Sequence, residues 1–349
     1  MSDHTGEPGF AGTQPSHNPI QFDSSPVSPV QSANPDPGRR SSPALRNALS
    51  LLAVVVVGGL VGGLAAPLHW GLELCCHWRV HGLVVLALCA VLLAALGASR
   101  RALGCIVVGL PFAVPLAPLY VPRASPPDGG SWRLASLNLL SQNHNHEAVG
   151  AWLNETQPAV VIALEVTPAW ARQFEHYPQR IVVPRDDNFG IGLWSHFPIT
   201  RSRILELPGG IPVLSVTVEC SPGRECTLLA IHPVPPVNAS LARLREQQFL
   251  TLSQWIGETT GPLIVAGDFN ATSWSPLFAR LTSSRPLSDS RTGFGIQPTW
   301  APIGPPALGI PIDHVLVSPG LTVRDRRVGG DIGSDHLPVL VELQSVPLP

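Results

Sequence analysis

The chain has 349 residues, a formal net charge of −2 and a mean hydropathy of +0.21. All 22 basic residues are arginine, and the acidic residues slightly outnumber them, which argues against a broadly basic nucleic-acid coat protein. The length exceeds one average domain and allows a sizeable core, and the hydropathy is high for a soluble enzyme.

Residues 1–43 are rich in Pro, Ser, Gly and Asn and lack aliphatic periodicity. Such a segment cannot bury enough surface to offset its ordering entropy, so a disordered cytoplasmic tail is expected. Three apolar blocks follow, near 45–68, 80–98 and 103–121. Each approaches the ~20 residues a helix needs to cross ~30 Å of hydrocarbon, so residues 44–122 read as three transmembrane helices. A cleaved signal peptide does not fit a block preceded by a long tail and followed by two more. Pro111, Pro115 and Pro118 should make the third helix irregular. Arg39, Arg40 and Arg46 precede the first block, and Arg100 and Arg101 separate the second from the third. The stretch between the first two holds Glu73 and Arg79. The positive-inside rule then sets the N-terminus in the cytoplasm and everything after Val121 outside a bacterial inner membrane.

Residues 123–130 form a Pro/Gly linker, short enough to keep the following domain near the bilayer. From 131 to 349 short apolar runs alternate with helical or loop segments. Strands are expected near 133–139, 159–164, 190–195, 211–219, 226–232, 263–266, 312–317 and 337–342, and helices near 146–156 and 239–257. One α/β sandwich domain accommodates that mixture. Cys220 and Cys226 flank a turn between two strand-like runs and could face each other across a hairpin, as a disulfide or as free thiols. Cys75, Cys76, Cys89 and Cys105 lie in or beside the apolar blocks and read as packing residues. No Cys/His spacing suggests zinc.

The chemistry gathers at strand ends. The run Leu263-Ile-Val-Ala is broken by Gly267, after which Asp268 and Asn270 should leave on one face with Phe269 turned inward. A carboxylate beside a carboxamide suits hydrolysis of a phosphate ester, although an Asp/Asn turn would look the same. Asn138, Glu165 and His232 end three further runs, while Asp313 and the Asp335-His336 pair open two more. If these strands are neighbours, the polar termini converge on one rim. Asn188 sits in a turn from which it could reach that rim, and His314 should point away from Asp313 as a structural residue.

In order along the chain, Ser136-Leu-Asn138, Ala163-Leu-Glu165, Ala230-Ile-His232, Gly267-Asp-Phe-Asn270, Ile312-Asp-His314 and Gly333-Ser-Asp-His336 resemble the endonuclease/exonuclease/phosphatase superfamily. The resemblance implies a four-layer α/β/β/α sandwich of the DNase I-like kind, with the site at its mouth. Joined to three apolar helices, the domain is also similar to the membrane-anchored bacterial branch that includes VanJ-type teicoplanin-resistance proteins. By that resemblance Glu165, with Asn138 and Asp335, holds a divalent cation, Mg2+ first and Mn2+ as the alternative. Asp268 orients or deprotonates the attacking water. Asn270, His232 and Asn138 bind the phosphate. Asp313 orients His336, which acts on the water or on a non-bridging oxygen. Many relatives carry a further acid two residues after the Asn138 position, where this chain has Leu140, so a second protein-held metal is not expected.

The substrate is less constrained than the chemistry. From Arg123 onward there are 16 arginines against 19 acidic residues, a net of −3, whereas nucleic-acid surfaces are usually basic. The loop 293–311 carries Phe294, Trp300, Ile303, Leu308 and Ile310 just before Asp313, either packed on itself or dipping into the membrane interface. The expected partners are therefore the bilayer and a phosphorylated lipid. The alternatives are an extracytoplasmic nuclease or phosphodiesterase, or a non-catalytic binding module.

Overall fold

The structure is a computed structural model, described here for residues 12, 42–122, 129–301 and 304–346. The expected tail, most of the linker and Ile303 lie outside the described residues.

The apolar segments build a helical bundle. Helix α1 (Pro43–Leu64) is 22 residues long, enough to cover about 33 Å. After a short 3-10 turn come α2 (Trp70–His77) and α3 (Arg79–Ala95), bent 63° from each other. Helix α4 (Ser99–Ala113) contains Pro111 and tightens into a 3-10 segment, Val114–Leu119, where Pro115 and Pro118 remove backbone donors. Two helical stretches, Pro43–Leu64 and Ser99–Leu119, are long and apolar enough to cross a membrane. The second expected block is shorter than anticipated: α3 has 17 residues, and only the bent α2–α3 pair taken together makes a third candidate. Leu60, Leu86, Leu93 and Phe112 pack inside the bundle.

The remainder is a two-sheet sandwich. One sheet contains β1 (Ser131–Asn138), β2 (Val160–Leu164), β3 (Gln179–Val183), β4 (Ile191–Ser195), β11 (Leu321–Val328) and β12 (Val339–Ser345), in the order β11-β12-β1-β2-β4-β3. The other contains β5 (Ile199–Leu207), β6 (Ile211–Ser221), β7 (Arg224–Ile231), β8 (Leu263–Asp268), β9 (Ser288–Asp289) and β10 (Asp313–Val317), in the order β5-β6-β7-β8-β10-β9. Alternation along each strand builds both faces. Leu134, Ile162, Leu214, Leu228, Ile264 and Val315 meet between the sheets. On the outer face of the first sheet, Leu137 and Val161 pack against Val149 and Leu153 of α5 (His146–Thr156). On the outer face of the second, Leu229 and Val265 pack against Phe249 and Leu252 of α6 (Ala239–Glu258) and Leu281 of α7 (Pro276–Ser284). The layers are thus helix, sheet, sheet, helix.

Three expectations need correction. Strands β3, β5, β9 and β11 and helix α7 went unread in the sequence. Gly267 does not break β8: the strand runs through it to Asp268. Its φ is +142°, and a Cβ there would lie 2.0 Å from the Ile231 carbonyl oxygen, so glycine is required by the close pairing of β7 and β8. The loop 293–311 is neither free nor packed only on itself: Gly293 and Gly295 donate to the carbonyls of Pro118 and Leu119 at 3.2 and 2.7 Å, and Phe294 packs on the core. The Cys220 and Cys226 thiols are both buried and unbridged.

Candidate active site

Two parallel strand pairs explain the convergence. β1–β2 sit near the middle of one sheet and β7–β8 near the middle of the other, and every other pairing is antiparallel. Asn138, Glu165, His232 and Asp268 lie at or just beyond the C-terminal ends of these four strands. β10 runs antiparallel to β8 with Asp313 opposite Asp268, and β12 runs antiparallel to β1 with Val339 opposite Ser136. Their N-terminal ends, carrying Asp313 and the preceding His336, therefore reach the same rim.

The side chains form one buried network. Asn138 Nδ2 donates to Glu165 Oε1 at 3.1 Å and to Asp268 Oδ2 at 3.3 Å, joining the two sheets. Glu165 Oε2 accepts the backbone N–H of Ser141 at 2.9 Å. His232 Nε2 and His336 Nε2 approach Asp268 Oδ2 at 3.5 and 3.7 Å. His336 Nδ1 lies 2.9 Å from Asp313 Oδ2, which fixes the ring's orientation. Asn138, Glu165, His232, Asp268, Asp313 and His336 are all buried.

Electrostatics separates their roles. Burial favours the neutral carboxyl of Asp268, but the charge of His336 and the His232 hydrogen bond outweigh it and hold the pKa below the usual carboxylate range. Burial likewise disfavours a charged His336, yet Asp313, Asp268 and Asp335 prevail and raise its pKa to about 10. At neutral pH the pair is a carboxylate beside an imidazolium.

Asp268 and Asn270 come together differently from the expected alternation along an extended strand. Asn270 has a φ of +48°, its N–H donates to Asp268 Oδ1 at 2.7 Å, and its side-chain Nδ2 donates to the Pro233 carbonyl at 2.9 Å. This is an Asx turn closing the strand end. Phe269 is fully buried, and His314 packs between Phe269 and Phe278 with Nε2 2.9 Å from the Ala271 carbonyl, facing away from the rim. Asp335 is only half-buried and accepts from Trp300 Nε1 at 2.9 Å. Asn188 takes the Ser141 hydroxyl at 2.7 Å at the edge of the site.

A divalent cation fits this donor set. Glu165 is a buried carboxylate with hydrogen-bond donors but, among the described residues, no arginine or histidine in ion-pair contact. Such a carboxylate needs a positive charge, and its neighbours offer oxygen atoms rather than thiolates. One ligand atom each of Asp268, Asp313 and His336 also lie within 4.8 Å of one another, a grouping compact enough for an ion.

Several supporting residues carried no readable signal. Thr299 Oγ1 accepts the N–H groups of Ile312 and Asp313 at 3.2 and 3.1 Å. Arg326, buried, donates to the Asp313 carbonyl at 3.3 Å. Ser334 ties Asn138 to His336, donating to the Asn138 carbonyl at 2.8 Å and accepting the His336 N–H at 3.1 Å. Glu73 and His77 of α2 reach Arg245, Thr272 and Ser275 beside the Asp268 turn.

The two-sheet fold has solved counterparts. D. rerio TDP2 complexed with a single-strand DNA product superposes with a TM-score of 0.53 at 18% identity, covering 62% of this chain and 100% of that one. The 3′ phosphatase NExo from Neisseria, bound to a product DNA hairpin, gives 0.51 at 20% identity over 60% and 98%. At these identities the likeness speaks for the fold. A UPF0294 protein of Klebsiella pneumoniae (strain 342) is 32% identical over 169 residues, 46% of this chain and 60% of that relative. The match thus spans less than two thirds of the relative's length. The Endonuclease/Exonuclease/phosphatase family model matches residues 135–336, from β1 through His336, and its members typically use a divalent metal. With more than half of its length and every residue of the rim inside that match, the chain belongs to the endonuclease/exonuclease/phosphatase family.

Proposed function

We propose that the protein is a membrane-anchored, metal-dependent phosphoesterase that hydrolyses a lipid-linked phosphate or pyrophosphate on the extracytoplasmic side. The observation that carries the chemistry is the rim itself: Asn138, Glu165, His232, Asp268, Asp313 and His336 buried in one network across two sheets.

Asp268, ionised at neutral pH, accepts a hydrogen bond from the attacking water and takes its proton. His336, held charged by Asp313, donates to a non-bridging phosphate oxygen rather than acting as base. His232 and the Asn270 amide add donors around the phosphate, and one ring nitrogen of His232, Nδ1, has no partner among the described residues. Glu165, with Asn138 and Asp335, would hold Mg2+ or Mn2+, which supplies Lewis-acid stabilisation of charge on the phosphoryl and leaving oxygens.

Two observations support a lipid substrate. The outer surfaces of α1, α3 and α4 expose Leu51, Val54, Val55, Leu88, Val91, Leu103 and Ile106, an apolar girdle suited to hydrocarbon. Beside the site, an apolar groove of about 410 Å3 opens at Asn270, walled by Trp70, Leu74 and Trp78 of the anchor and by Trp300 and Ile310. Orientation follows from charge: Arg46, Arg100 and Arg101 line one cleft where α1 and α4 begin, and α2 contacts Arg245, Thr272 and Ser275 beside the rim. With the arginines on the cytoplasmic side, the rim faces out. This architecture also supports kinship with the VanJ-type branch.

The test is phosphoester hydrolysis by the full chain in detergent with Mg2+, read from the cleaved products, comparing a polyprenyl pyrophosphate, a phospholipid and single- and double-stranded DNA. Hydrolysis of a lipid substrate, reduced about tenfold by Trp78→Ser while a soluble ester is spared, is the expected result. Cleavage of DNA with no action on lipids would transfer the reading to the nuclease alternative.

A further inference from the structure

Helix α2 lies between the first two apolar segments, yet its polar residues end inside the catalytic domain. Glu73 is 4% exposed. Its Oε2 accepts from Arg245 Nη2 at 2.5 Å and its Oε1 from Ser275 Oγ at 2.6 Å. One turn later His77 Nδ1 meets the Thr272 hydroxyl at 3.1 Å and accepts the Thr272 N–H at 3.3 Å. The second terminal nitrogen of Arg245, Nη1, donates to the backbone carbonyl of Asn270. The anchor thus holds the segment from Asn270 to Ser275, which follows directly on Asp268.

The held segment closes the strand end that carries Asp268. Asn270 occupies left-handed backbone space, which asparagine tolerates better than most residues, and the contact to its carbonyl fixes where the turn sits. Arg245 is buried at 1% exposure, and among the described residues Glu73 is the one carboxylate at ion-pair distance, while the charge of Asp268 acts on it from farther off. A contact that served only to dock the anchor would not require this pair, because apolar residues of similar volume replace a buried ion pair at little loss of stability. The pair supplies direction, aiming one guanidinium nitrogen at the carboxylate and the other at Asn270.

We propose that Glu73 is a positioning residue of the active site: through Arg245 it fixes the Asn270 carbonyl, and the Asp268–Asn270 turn is correctly set only when α2 is docked. The inference rests on the rim being catalytic and is independent of which phosphate is the substrate.

The experiment uses the full chain in detergent with Mg2+ and bis(p-nitrophenyl) phosphate as probe. Glu73→Gln and Arg245→Met should each lower kcat about 10- to 100-fold. KM should stay within about twofold, because the turn acts on the reacting centre more than on binding. The double variant Glu73→Met/Arg245→Met should melt close to wild type and be no slower than the worse single variant. Deuterium uptake by a peptide covering 269–276 should rise in all three. A folded double variant with wild-type kcat would overturn the proposal and leave α2 a docking contact only. If the wild type releases no p-nitrophenol from this diester, a diesterase reading fails, whereas hydrolysis of a monoester or pyrophosphate does not. The positioning claim is then decided by deuterium uptake: unchanged uptake in Glu73→Gln would overturn it.

Discussion

The helical bundle and the two-sheet domain use the same aliphatic residues in opposite senses. In α1, Leu51, Val54 and Val55 are about two-thirds exposed, whereas all five residues of β2 are buried. The domain closes its apolar surface on itself; the bundle leaves an apolar girdle exposed. Polar burial follows the complementary pattern. It falls at the rim, where α2 meets the domain through Glu73, His77 and Arg245, and around Arg291, His314 and Arg326. Burial of aliphatic residues therefore builds each region, and buried polar groups persist where they find partners.

That contrast can be broken most severely at the rim. Asp268→Ala should lower turnover about 1,000-fold or more and also lower the melting temperature of a still-folded protein, because Asp268 accepts the Asn270 N–H and lies beside the charged His336. A variant that loses its fold instead would make Asp268 a structural residue. Between rim and core, Gly267→Ala should destabilise the domain by about 3 kcal/mol, because its Cβ meets the Ile231 carbonyl. A thermal melt matching wild type would mean that β7 and β8 separate easily.

The smallest effect is a pH dependence. The folded pKa of His336, about 10, lies above its ordinary 6.5. The stabilisation from its charged form is complete below about 6.5 and is lost as pH rises through 10. Melting temperature in chelator should fall between pH 7 and 10, with a weaker slope in His336→Gln. Equal slopes would contradict the Asp313–His336 pairing.

Legibility in the sequence followed burial. Helix α5 matches its expected bounds, and α6 ends one residue beyond. The inner strands read as aliphatic runs. The four unread strands, β3, β5, β9 and β11, are the four sheet edges. Edge strands face water along one side, and β5 and β11 carry Thr-Arg-Ser-Arg and Arg-Asp-Arg-Arg where an inner strand would carry Val or Ile. Short local patterns made the rim readable, because Asp268, Asn270 and His336 each sit in a recognisable neighbourhood. Glu73 had no such neighbourhood. It looked like an ordinary polar residue between two apolar blocks, and its partner Arg245 lies 172 residues away. Arg326 and Thr299 were hidden for the same reason: their role is to hold backbone atoms of Asp313, and no local spacing encodes that.

The most direct measurement is p-nitrophenol release from bis(p-nitrophenyl) phosphate by the full chain, titrated with Mg2+, for wild type and Glu165→Ala. The account predicts hydrolysis that is abolished by chelation and restored by Mg2+, with the variant needing at least about tenfold more metal or showing no recovery. Hydrolysis that ignores chelation, or a Glu165→Ala protein with wild-type metal dependence, would contradict a metal-dependent phosphoesterase built on this rim.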